Sequence, residues 1–124
     1  MIQKFYEHSS DLSFKYLGFD GFGYVVNILL GNKKIGEIVY REKTYLEPDG
    51  YPMVKEFHIG FKEDYQGKGY FQKTILNFLK EFGGPIYFAK GRIVNPLVYN
   101  AINKLDNNLI QVTEIGKGFI LELK

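Results

Sequence analysis

Hydrophobic and polar positions along the chain change period several times, and each change marks an element. "YVVNILL" (24–30) is rich in β-branched and apolar residues and reads as a strand. Gly31-Asn32 turns it, and "KIGEIVYREK" (34–43) returns as a second strand. "EPDGYP" (47–52) carries a Pro-Asp-Gly turn signal, and "MVKEFHIGF" (53–61) follows as a third strand, so the three predict an antiparallel meander. The period then lengthens. Phe71, Ile75, Phe78, Leu79 and Phe82 recur at helical spacing, with Gln72, Lys73, Asn77, Lys80 and Glu81 on the opposite face. Gly83-Gly84-Pro85 stops this helix. "IYFAK" (86–90) is a short continuous apolar run, the pattern of a buried strand. A strand–helix–strand order implies a right-handed crossover, which makes 53–61 and 86–90 parallel. Asn95-Pro96 opens a second helix with Leu97, Val98, Ala101, Ile102 and Leu105 on its apolar face, ended by Asp106-Asn107-Asn108. "LIQVTEI" (109–115) and "FILELK" (119–124), on either side of Gly116-Lys117-Gly118, predict a closing hairpin. Residues 1–17 leave a strand and a short helix both open. The predicted order is β-β-β-α-β-α-β-β, with room for one further element at the front. This is an α+β fold, a mixed sheet carrying helices, in a single domain over residues 1–124.

Composition narrows the function classes. Aromatic residues make up 17% of the chain, with eleven Phe and ten Tyr, which suits a strand-rich core packed by rings. The net charge of +2 is too small for a nucleic-acid surface but is compatible with a small anionic ligand where cations cluster. The absence of cysteine excludes disulfides, zinc–thiolate sites and thiol nucleophiles. No stretch reaches the roughly 18 apolar residues of a membrane helix, and the first 17 residues lack the apolar run of a signal peptide. A cytoplasmic protein is the expectation.

The candidate chemistry centres on "YQGKGYFQKTILNFL" (65–79), a glycine-bearing turn that opens directly into the first helix. Helix N-termini offer unpaired N–H groups and a positive dipole end, so such a turn is a place for a phosphate or pyrophosphate, with Lys68 and Lys73 adding charge. Two common phosphate motifs fail here. A Walker loop needs a glycine at position 62 and Ser or Thr after Gly67-Lys68, and the dinucleotide fingerprint starting at Gly67 needs a glycine where Gln72 stands.

"FHIGFKEDYQGKGYFQKTILNFL" resembles the central motif of the GNAT N-acetyltransferase superfamily: a strand, a short acidic turn, then Q/R-x-x-G-x-G/A opening an amphipathic helix. Gln66 and Gly69 match, and Phe71 stands where the family has a small residue. "RIVNPLVYNAINKL" (92–105) is similar to the family's later motif, an Asn just before a helix. The likeness spans roughly residues 22–124 by pattern, with a shortened N-terminal region. It implies an acyl-CoA N-acyltransferase fold, acetyl-CoA as co-substrate and a primary amine as acceptor. Its pyrophosphate contacts would fall on Gln66, Gly67, Lys68, Gly69, Tyr70 and Phe71, mostly through main-chain N–H groups. Pantetheine contacts would fall on Ile59, Gly60 and Phe61, and Asn95 would orient the cofactor arm.

Transfer to an amine requires deprotonation, a polarised thioester carbonyl and protonation of the leaving thiolate. Glu56 is the first candidate base and His58 the second. They are two residues apart and share one strand face, and the alternative is that both simply face solvent. The family's tyrosine acid maps to Ile102, and Tyr99, three residues earlier, is the substitute candidate, with an ordinary core role as its alternative. Asp106-Asn107 replaces the family's Gly-Phe. Two other readings stand beside catalysis: a GNAT-like module that binds acyl-CoA or a protein without transfer, and an unrelated α+β interaction domain whose glycine turn is only structural. Edge strands also permit a homodimer.

Overall fold

In the computed structural model, residues 12–43, 53–92 and 96–124 are described. Seven strands form one mixed sheet in the order β1-β2-β3-β4-β5-β7-β6. They are β1 (Leu12–Phe19), β2 (Tyr24–Leu30), β3 (Lys33–Lys43), β4 (Val54–Phe61), β5 (Ile86–Ala89), β6 (Ile110–Ile115) and β7 (Gly118–Leu123). Helix α1 (Tyr70–Phe82) and helix α2 (Pro96–Asn103) complete the fold. The open question at the front resolves as a strand. β1 pairs with β2 from Leu12↔Leu30 to Phe19↔Tyr24, through an irregularity between Tyr16 and Gly18. The expected turn at 47–52 lies outside the described residues.

The meander is antiparallel throughout, and β4 and β5 are parallel across the crossover made by α1. β6 and β7 close as the expected hairpin, with β7 antiparallel to β5. The β1–β2 turn is held by Asp20, whose carboxylate accepts the N–H groups of Phe22 at 2.8 Å and Gly23 at 2.9 Å. Those two bonds, Gly23 first, hold the Asp20 carboxyl below its ordinary value.

The helices lie on one face of the sheet. Val26, Ile28, Ile38, Phe57, Phe88 and Leu121 turn toward it and pack with Ile75, Phe78 and Leu79 of α1 and Ile102 of α2. Rings form the centre: Phe78 stands edge-on to Phe57 at 4.7 Å and to Tyr40 at 5.6 Å, and stacks on Phe82 at 4.6 Å. Thr74, a polar residue that the apolar spacing passes over, is also fully buried on α1. The opposite face of the sheet carries Glu56, Arg41, Lys43 and His58 beside a small apolar group of Val54, Tyr87 and Ile120.

Candidate functional site

Pairing between β4 and β5 is short. It covers only Lys55↔Ile86 and Glu56↔Tyr87, and from there the two strands part. β4 runs on to Phe61 while still paired on its other side with β3, down to Gly36↔Phe61. Main-chain groups alternate sides along a strand. Lys62 N–H donates to Ile35 on the β3 side at 2.8 Å, and Lys55 N–H donates to Pro85 on the β5 side at 2.9 Å. Odd-numbered residues of β4 therefore address β5. Beyond the last pair, Ile59 N–H and C=O and Phe61 N–H lie along an open edge. The Gly60 amide points back to β3. The N–H groups that could polarise a ligand carbonyl at this edge are thus those of Phe61 and Ile59.

A cavity of about 440 Å³ opens at this edge. Ile59, Gly60 and Phe61 line it from the strand, Tyr65, Gln66, Gly67 and Gly69 from the turn, and Phe71 and Gln72 from the first turn of α1. Leu97, Val98, Asn100, Ala101 and Lys104 line it from α2 and the residues just after. Gln72 Nε2 donates to Ala101 O at 3.3 Å and ties the two helices together at the cavity.

The glycine turn is shaped for presenting amides. A 3-10 turn over Glu63–Tyr65 leads to Gly67 and Gly69, both at positive φ (70° and 85°), a conformation in which L side chains are strained. Gly69 caps α1 without any side-chain hydrogen bond, and the first N–H to bond back is that of Lys73, to Gly69 O at 3.4 Å. The N–H groups of Tyr70, Phe71 and Gln72 are left without intrahelical partners. A Cβ placed at Gly60, Gly67 or Gly69 would meet nothing within 4 Å, so all three border open space. Phe71, the bulky departure from the family pattern, turns its ring toward the sheet, 6.0 Å from the Phe88 ring, and leaves its N–H on the turn.

Of the residues singled out from sequence, Ile59, Gly60, Phe61, Gln66, Gly67, Gly69 and Phe71 converge on the cavity. Lys68 is exposed and Tyr70 sets its ring against that of Tyr65 at 5.8 Å, and neither lines it. Asn95 lies outside the described residues. The three catalytic candidates are not brought to the cavity. Glu56 is on the helix-free face and 3% exposed, with Arg41 Nη2 at 3.2 Å from one carboxylate oxygen and Lys43 Nζ at 3.3 Å from the other. The reading in which Glu56 faces solvent is corrected: the ion pairs draw it into the sheet surface. His58 shares that face by strand alternation and is half-buried. Tyr99 packs edge-on to Phe119 at 5.8 Å, and its hydroxyl donates to Lys90 O at 3.4 Å. This is the core role, not a place beside the cavity. Ile102 is buried in the core at 2% exposure.

The contribution of α2 was half legible. Its apolar positions predict one face, but in the structure they form two stripes. Ile102 and Leu105 are buried beneath the helix, whereas Leu97, Ala101 and Lys104, at i, i+4 and i+7, look onto the cavity. Lys104 at the end of that second stripe was the available signal. No family model matches the chain, and no curated protein matches it.

Proposed function

We propose that the protein is a GNAT-like N-acetyltransferase that takes acetyl-CoA in the β4–β5 cleft and passes the acetyl group to a primary amine. One observation carries this reading. An open strand edge at Ile59 and Phe61 and a glycine turn at the head of α1 border a single cavity. An extended ligand with amides along its length and a diphosphate at one end matches both features. Its amides pair with the edge as an added strand would, and its anionic end meets the N–H groups of residues 70–72. The three borders without Cβ atoms at Gly60, Gly67 and Gly69 leave room for close approach.

Acetyl-CoA supplies a thioester already activated for acyl transfer. Ile59 N–H and Phe61 N–H are the groups of this chain that can polarise its carbonyl. In direct attack the amine nitrogen forms the new bond to carbon, the carbon–sulfur bond breaks, and the proton lost by the nitrogen passes through solvent to the departing thiolate, which gives the amide and coenzyme A. No cysteine is present for a covalent intermediate. Glu56 and His58 sit on β4 close to the point where β5 departs, on the far side from the cavity.

A second reading, coenzyme binding without transfer, is favoured by the same placement: Glu56 is engaged by two cations and the Tyr99 hydroxyl by Lys90. Isothermal titration with acetyl-CoA tests the cleft. A dissociation constant in the micromolar range is expected, and no heat at millimolar coenzyme ends the case. Thiol release with a panel of primary amines then separates transfer from binding alone.

A further inference from the structure

We infer that Gln66 is a positioning residue whose carboxamide sets the distance between the open strand edge and the glycine turn. The inference rests on the coenzyme-binding reading and assigns the side chain a task that reading leaves unfilled. Gln66 Nε2 donates to Phe61 O at 2.9 Å. The bond leaps five residues, from the last residue of β4 to the residue just before Gly67. It is the outermost of a graded set of ties. Lys62 N–H holds the strand end to Ile35 at 2.8 Å, Tyr65 N–H bonds Lys62 O at 2.8 Å, and Gln66 N–H bonds Glu63 O at 3.2 Å. The first three are main-chain bonds that any residue but proline can make at those positions. The fourth depends on the side chain at position 66.

Two consequences follow from the chemistry. Phe61 O points along the open edge and already accepts from the carboxamide, which leaves Ile59 N–H and C=O and Phe61 N–H among the edge groups a ligand can pair with. The turn is also fixed to the strand immediately before two glycines at positive φ, the most pliant residues of the segment. A ligand that engages strand edge and turn at once benefits from their fixed separation, because the second contact is then intramolecular and its strength depends on geometry. A ligand that engages only one of them gains nothing from it. Gln66 itself is exposed, so it contributes little burial, and its replacement leaves the core untouched.

The test uses the full chain and the variants Gln66→Leu and Gln66→Glu, both close in size and both unable to donate from an uncharged amide. The probes are coenzyme A, pantetheine for the strand edge and ADP for the turn. Coenzyme A affinity is expected to fall about tenfold in either variant, while pantetheine affinity stays within about twofold, as does that of ADP in Gln66→Leu. In the ligand-free protein, the Phe61 carbonyl carbon and the Gly67 and Gly69 amide resonances shift in both variants. Coenzyme A affinity within twofold of the parent overturns the inference, as does a parallel loss for both fragments in Gln66→Leu, the mark of a mere contact. If the parent chain binds no coenzyme A, the functional reading falls, and the ligand-free resonances alone decide whether Gln66 positions the turn.

Discussion

Gly36 provides a sharp test of how closely β3 and β4 approach beside the cavity. It faces Phe61 across the ladder. A Cβ at Gly36 would lie 2.5 Å from Gly60 O, 2.9 Å from Phe61 Cδ1 and 3.2 Å from Phe61 Cα, where ordinary contact begins at 3.4 Å. The Phe61 ring can swing aside. The Gly60 carbonyl and Phe61 Cα cannot move without carrying the strand. Overpacking of this kind costs about 1–3 kcal/mol, against the roughly 0.5–1 kcal/mol that Ala gains over Gly inside a strand. The contact is to backbone and short by most of an ångström, so the loss wins. Gly36→Ala is expected to destabilise by about 1–2 kcal/mol, lowering the urea midpoint by about 1 M at a slope near 1.5 kcal/mol per M. The control is Gly60→Ala, where a Cβ meets nothing within 4 Å. Its midpoint is expected to equal or slightly exceed that of the parent. Equal midpoints for the two variants would refute the reasoning, because the propensity gain would then act unopposed at both sites. Gly36→Ala also displaces two residues of the cavity wall, so coenzyme A affinity is expected to fall with it.

Three further outcomes are expected. Glu56→Gln leaves Arg41 and Lys43 facing a neutral amide in a site that is 3% exposed at the glutamate; a loss of about 1–3 kcal/mol in denaturant titration is expected, tempered by the partial exposure of both cations, while coenzyme A affinity at the cavity on the other face holds. Gly69→Ala sits in open space but at φ +85°, so backbone strain alone is expected to lower stability by about 1–2 kcal/mol in the same assay. Asp20 titrates below its ordinary value because the N–H groups of Gly23 and Phe22 favour the carboxylate. A depressed folded pKa means that its stabilisation is complete above the unfolded value and is lost as pH falls through the folded one, and carbon-detected NMR of the Asp20 carboxyl reads that directly.

Elements whose burial follows from local periodicity were legible in the sequence. β2, β3 and β4 alternate or run apolar, α1 repeats at helical spacing, and the closing hairpin brackets Gly116-Lys117-Gly118. β1 was not, because its alternation from Leu12 to Phe14 is broken by the irregularity at Tyr16 and Gly18, and Tyr16, Leu17 and Phe19 stay exposed. The turn of the site was legible through Gly67 and Gly69. The open edge at Ile59 and Phe61 was implied only by the resemblance, since where β4 and β5 part depends on the pairing of Lys55 with Ile86 and Glu56 with Tyr87, a tertiary fact that neither strand's own residues encode. The catalytic candidates were chosen by residue type on a strand. Type alone does not reveal that Arg41, on the neighbouring strand, will meet Glu56 through cross-strand register.

The two-rung join between β4 and β5 divides the sheet into panels, one of four strands and one of three. Each panel is laced along its own length, but the seam between them is nearly unstitched. A ligand paired along Ile59 and Phe61, as proposed, would do more than occupy space: it would supply the missing rungs and splint the panels into one surface. In the ligand-free chain, the Ile59 amide should exchange with solvent far faster than that of Ile38 in the laced panel, and filling the seam should slow Ile59 while leaving Ile38 unchanged.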